Sequence, residues 1–157
     1  MEKQPPRISV IIVNFNGLPY IDTCLGSVLQ QDFAGYEVIF VDNASTDGSA
    51  DMVKNEFQSV RVIRNKQNIG FSAGNNIGIR HACGDYVLLL NSDTEVGPGT
   101  MQAMLSCMQS RPDAGAATCK LVLPDGSLDP ACHRGFPTPW AALTYFLGLE
   151  KMFPRFP

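Results

Sequence analysis

The sequence predicts a doubly wound α/β domain with a mostly parallel sheet. Apolar runs such as Ile8–Val13 and Tyr86–Leu90 show no polar alternation, as in strands covered on both faces. Between them, apolar residues recur at helical spacing, as at Leu18, Ile21, Leu25, Val28 and Leu29. The two patterns alternate β-α-β-α-β-α-β-α-β along the chain. That order builds parallel strands joined by right-handed crossovers.

The first strand, Ile8 to Val13, ends in Asn14-Phe15-Asn16-Gly17, and Pro19 suits the first turn of the following helix. Gly35 precedes the second strand, Tyr36 to Val41, which ends in Asp42-Asn43-Ala44-Ser45-Thr46-Asp47-Gly48. Ser45, Thr46 or Asp47 can cap the next helix, which runs to about Phe57. Val60 to Ile63 reads as a short third strand. A polar loop, Arg64 to Asn76, contains Gly70 and Gly74 and leads into a helix that ends near Ala82. The fourth strand, Tyr86 to Leu90, runs into Asn91-Ser92-Asp93. Pro98 is expected to start a helix whose Met101, Met104, Leu105 and Met108 stripe reads as core. Ala114 to Val122 is expected as a fifth, small-residue strand, followed by a turn at Pro124-Asp125-Gly126.

Composition narrows the function. The 157 residues are 45% hydrophobic and 17% charged, which suits a globular domain with its own core. A net charge of −3 supplies no basic field for nucleic acid, so nucleic acid is not an expected partner. The five cysteines form no C-x-x-C pair and no zinc spacing, and read as reduced thiols of a cytoplasmic protein. No apolar run reaches the roughly 18 residues of a membrane-spanning helix. Gly70-x-x-x-Gly74 is not a dinucleotide fingerprint, and no phosphate-binding P-loop motif occurs.

Parallel strands bring three polar ends to one edge of the sheet, where open α/β sheets bind ligands. Asn14, Phe15 and Asn16 come from the first strand, Asp42 and Asn43 from the second, and Asn91, Ser92 and Asp93 from the fourth. An aromatic face, amide or carboxylate acceptors and a metal-type carboxylate are parts that can hold a nucleoside diphosphate. Phe15 can stack a base. Asp42 or Asn43 can bond a base edge or ribose. Asp93 can hold Mg²⁺ or Mn²⁺. Lys66, Gly70 and the helix start beyond it can face an anion. Each residue also has a plain structural use: Phe15 as packing, Asp42 as a turn residue, and Asn91-Ser92-Asp93 as a turn.

Four stretches in order, Ser9 to Asn16, Val41 to Gly48, Asn68 to Asn76 and Leu88 to Thr94, resemble family 2 glycosyltransferases of the GT-A fold. They are most similar to the bacterial rhamnosyltransferase branch. The resemblance implies a nucleotide-sugar donor, dTDP-rhamnose or a UDP-sugar, a divalent metal and inversion at the anomeric carbon. It places Phe15 on the pyrimidine, Asp42 and Asn43 on base and ribose, and Gly70 and Asn76 near the pyrophosphate. Asn91-Ser92-Asp93 stands where the family has its Asp-x-Asp metal motif, with an amide in place of the first carboxylate.

An inverting transferase needs a general base for the acceptor hydroxyl. Nothing after Asp129 resembles the family's acidic residue, so this chain is expected to be the donor-binding half of a larger enzyme, inactive alone. Three regions follow: a polar lead at 1–7, a nucleotide-sugar-binding domain at 8–129, and a Pro-rich, aromatic stretch at 130–157 that opens the acceptor side. The acceptor is expected to be a glycan or lipid-linked sugar at the inner face of the membrane. An uncovered surface involving Trp140 to Leu149 is expected to favour a homodimer. Two other classes stay open: a non-catalytic nucleotide-binding module of the same fold, and a nucleotidyltransferase. The latter would want a Gly-rich basic loop where Asn14-Phe-Asn-Gly-Leu-Pro19 stands.

Overall fold

The computed structural model describes residues 7–129 together with Pro139 and Leu143. Four strands, β1 (Ile8–Asn14), β2 (Tyr36–Asp42), β3 (Val60–Arg64) and β4 (Tyr86–Asn91), alternate with four helices. These are α1 (Leu18–Leu29), α2 (Ser49–Glu56), α3 (Phe71–His81) and α4 (Thr100–Ser110). The strand order is β3-β2-β1-β4, and every pairing is parallel. The doubly wound architecture is therefore present, with β1 and β2 at its centre.

The strand residues divide between two faces, as the twofold period of a strand requires. Val10, Ile12, Val38, Phe40 and Leu90 meet Ile21, Leu25 and Val28 of α1, Val53 of α2, and Met101 and Leu105 of α4. Ile11, Val13, Ile39 and Val41 turn to the other face, with Ile77 of α3. Burying a side chain such as Phe40 or Ile12 contributes about 1.5–3 kcal/mol. Every residue of β1 is buried, which is why its sequence shows no alternation. Of the expected Met101, Met104, Leu105 and Met108 stripe, Met101 and Leu105 pack into the core, while Met104 and Met108 are only half-buried.

Helix α3 lies close to the sheet because its contact face carries glycines. A Cβ at Gly74 would come within 2.8 Å of Val13 Cγ1, and one at Gly78 would collide with Ile11 Cγ2.

Four expectations need correction. Helix α2 has Gly48 at its N-cap and no side-chain cap bond, so none of Ser45, Thr46 and Asp47 occupies that position. Ala114 to Val122 forms no strand; the backbone there makes only an isolated antiparallel bridge between Val122 and Leu128. Its Ala and Gly side chains bury too little area to hold a strand in place. The apolar run of β4 is not covered on both faces, since Val87 and Leu89 are 43% and 49% exposed. The α3 side of the sheet is covered over β1 and β2 and left open at β4. Finally, α4 begins at Thr100 with Gly99 at its N-cap, beyond Pro98.

By its contacts the chain divides into residues 1–117 and 118–157. The described part of the second unit is a turn closed by Gly126 N–H to Leu123 O at 2.8 Å and Leu123 N–H to Ser127 O at 2.9 Å. Trp140 to Leu149, apart from Leu143, lies outside the described residues.

Gly78→Ala should destabilise the domain by about 1–3 kcal/mol, because Ile11 is fully buried and cannot retreat. Denaturant unfolding measures it, and an unchanged midpoint would show that α3 is not seated on Ile11.

Candidate functional site

The parallel register sets Asn14 of β1 beside Asp42 of β2, and Val13 beside Asn91 of β4. The three polar strand ends therefore share one edge. Asn14, Asp42 and Asn43 are almost wholly enclosed there, at 0%, 2% and 2% exposure. Buried polar groups must find partners, and these find them in the neighbouring loops.

Asn14 Nδ2 lies 2.8 Å from Ser49 Oγ, 3.0 Å from Ser45 Oγ and 3.3 Å from Asp42 Oδ1. The Ser49 hydroxyl already donates to Asp47 Oδ1 at 2.6 Å, so it accepts from the Asn14 amide. That fixes the amide's orientation and leaves Asn14 Oδ1 buried without a partner. It also explains Gly17, where any Cβ would collide with that oxygen. Asp42 Oδ2 accepts Ser45 N–H at 3.1 Å. Asn14 therefore organises the loops and presents no surface to a ligand.

The second loop is stitched to its neighbours on both sides. Asn16, in the left-handed region at φ 54°, donates its N–H to Ser45 Oγ at 2.9 Å and accepts Thr46 N–H at 2.8 Å. Leu18 N–H donates to Asp47 Oδ2 at 2.8 Å. Asn43 accepts from Asn65 Nδ2 at 2.8 Å and donates to Gly70 O at 3.2 Å, which holds the loop before α3. Ala44 sits at φ 62°, a strained conformation for a residue with a Cβ.

Around these anchors lie the exposed groups. Phe15 is 51% exposed between two enclosed residues, Asn14 and Gly17, and the tethered Asn16. Lys66, Gly70 and Asn76 are also exposed. Helix α3 has no side-chain cap and no acid in its first turn. Its first backbone bond is Gly74 N–H to Gly70 O, so the N–H groups at 71–73 precede it and favour an anion. A cleft of about 320 Å³ opens at this edge between Asp42, Ala44, Thr46, Gly48, Arg64 and Asn65, with an Arg64–Asp51 ion pair at 2.7 Å. A larger hollow of about 520 Å³, beside Phe33, Tyr36 and Glu37, lies at the opposite end of the strands, away from the motifs.

At the end of β4, Asn91 and Asp93 are exposed and Ser92 is half-buried. Thr94 N–H closes the turn on Asn91 O at 3.2 Å. Beneath it, the Cys24 thiol donates to Asn91 O at 3.6 Å. Burial pushes this thiol up to about 11; the Thr94 N–H opposes the rise and the Asp93 charge adds to it. Gln31 clamps the next segment, with Nε2 donating to Val96 O at 3.1 Å and Gly97 O at 3.0 Å. Among the described residues no three His, Cys, Asp or Glu side chains gather to cage a metal. The exposed carboxylates here are Asp93 and Glu95, too few to enclose a cation, whose remaining ligands would come from a bound diphosphate and water.

Most of the exposed groups are legible in the sequence. Ser45, expected as a helix cap, instead accepts from Asn14 and Asn16, and the roles of Ser49, Asn65, Cys24 and Gln31 carry no sequence signal. Ser45 and Ser49 lie in or next to the Val41 to Gly48 stretch, but hydroxyl partners across loops leave no periodic signal.

This is the architecture of a GT-A-type α/β domain. It superposes on a Pyrobaculum calidifontis mannosyltransferase, solved with GDP-Man and Mn²⁺, at TM-score 0.70 and 26% identity over 78% of this chain and 37% of that one. The family model described as glycosyl transferase family 2 matches residues 9–149, and the chain belongs to that family. It is 31% identical to TuaG of Bacillus subtilis (strain 168), a glycosyltransferase assigned provisionally to teichuronic acid biosynthesis, over 85% of this chain and 55% of TuaG. It is 26% identical to the N-acetylglucosaminyl-diphospho-decaprenol L-rhamnosyltransferase of Mycobacterium tuberculosis (strain ATCC 25618 / H37Rv) over 81% of this chain and 45% of that protein. The chain thus spans about half the length of these two relatives.

Cys24 should resist thiol reagents at neutral pH, since the thiolate is the reactive form and burial suppresses it. The exposed Cys83 and Cys107 should react readily. Peptide mass mapping after brief labelling tests this, and rapid native modification of Cys24 would contradict the packing beneath β4.

Proposed function

We propose that residues 8–129 form the donor-binding part of an inverting, metal-dependent glycosyltransferase acting on a nucleotide-diphosphate sugar. The observation that carries this is the meeting, at one sheet edge, of the exposed Phe15 ring, the uncapped N-terminus of α3 and the exposed Asp93 carboxylate. The base stacks on Phe15. The diphosphate accepts from the start of α3 near Gly70, with Lys66 and Asn76 at hand. Asp93, with Asn91 as a neutral oxygen donor beside it, holds Mg²⁺ or Mn²⁺. When bound, the metal neutralises charge on the leaving diphosphate.

Asp42 and Asn43 act at the wall of the pocket, where their buried side chains fix the loops that meet base and ribose. Ser92 shapes the turn. The base that deprotonates the acceptor is supplied from outside residues 8–129. The relative named as a rhamnosyltransferase supports rhamnose as the sugar and a diphospho-lipid sugar as the acceptor. Such an acceptor would put the protein at the cytoplasmic face of a membrane. No described helix is long and apolar enough to cross one. The exposed Val87 and Leu89 support association with a second copy; light scattering that returns only monomer would reject it.

With Mn²⁺ present, dTDP or UDP should raise the melting temperature, by mass action on the folded state. Asp93→Ala should lose the metal-dependent part of that shift at an unchanged fold. Phe15→Ala should weaken binding whatever the sugar, by about 1–3 kcal/mol. No shift with any pyrimidine diphosphate would defeat the proposal.

A further inference from the structure

We infer that Asp47 is a positioning residue of the donor pocket, holding the Phe15 platform in place through Leu18 N–H and Ser49. The inference rests on the donor-site reading above. Helix α1 has no acid in its own first turn and no side-chain cap. Asp47 supplies that charge from the neighbouring loop, where its Oδ2 accepts Leu18 N–H at 2.8 Å. Its Oδ1 accepts Ser49 N–H at 3.0 Å and Ser49 O–H at 2.6 Å. One carboxylate therefore joins the starts of α1 and α2, where negative charge is favoured.

Ser49 passes the link inward to Asn14 Nδ2 at 2.8 Å. Phe15 follows Asn14 and precedes Asn16, whose left-handed backbone is held against Ser45 and Thr46. Phe15 is thus fixed from both sides, and the bond to Asp47 is the shorter of the two carboxylate bonds that the loop after β1 makes, at 2.8 Å against 3.3 Å for Asn14 to Asp42. Both Asp47 oxygens are committed to protein donors, so the residue acts through Phe15 and not on the ligand.

Burial pushes the Asp47 carboxyl up, but the hydrogen bonds from Ser49 and Leu18 outweigh it and lower the pKa below the ordinary 3.8. A lowered folded-state value means the tether is intact above the ordinary carboxylate range. It is lost only as pH falls through that lowered value.

The test is dTDP affinity with Mn²⁺ for the parent, Asp47→Asn, Asp47→Ala and Ser49→Ala, each well below its melting temperature and each repeated with Phe15→Ala. Asp47→Asn should weaken binding by about tenfold and Asp47→Ala by more, since Asn keeps one acceptor oxygen. In the Phe15→Ala background the loss should shrink to about twofold or less, because the platform is gone. If the Asp47 variants do not fold, Ser49→Ala decides, with a loss of about threefold expected from the broken link to Asn14. Variants that bind as tightly as a binding parent overturn this inference alone. An equal loss with and without Phe15 shows a role not exerted through the platform, and also overturns it. A parent that binds no pyrimidine diphosphate overturns the donor-site reading, and this inference with it.

Discussion

A buried amide at the end of the central strand is the constraint on which this edge of the molecule depends. Asn14 is fully enclosed, and the parallel register places the Asp42 carboxylate beside it. An unmet polar group in such a place costs about 1–3 kcal/mol. Ser45, Ser49 and the Asp42 carboxylate meet the amide nitrogen, and in doing so they dictate the path of the loop after β2. That loop then holds Asn16 and Leu18, which sets the path of the loop after β1. Phe15, in the middle, is left with its ring outward.

The same economy runs through the other loops. Asn43 spends both ends of its amide on Asn65 and Gly70, so the start of α3 is fixed relative to β2 and β3. Cys24 and Gln31, both on the α1 side, support the segment from Asn91 to Gly97. Enclosed polar side chains thus build a hydrogen-bonded frame, and the groups that face solvent around it differ in chemistry. They include an aromatic ring, a helix start and a carboxylate.

Where the frame stops, the sheet is open. The α3 side is covered over the central strands, but Val87 and Leu89 of β4 keep nearly half their surface exposed. The chain spans about half the length of the relatives it matches. The polar strand ends and the sheet's centre are well packed within the described residues, while β4 is half-covered.

The sequence alone determined the order of strands and helices and the parallel sheet. Unbroken apolar runs and apolar residues at 3.6-residue spacing are written locally, and β-α alternation leaves few other topologies. It also determined which polar clusters share an edge, and the four ordered motifs carried the family. Only the tertiary structure decided the roles within those clusters. Asn14 and Asp93 look alike in sequence as polar residues at strand ends, yet one is sealed and the other exposed, because coverage depends on which loops fold over each tip. The same reason explains the failures at Ala114–Val122 and on β4. A run of residues states what it would bury, but only packing against particular neighbours decides what is buried.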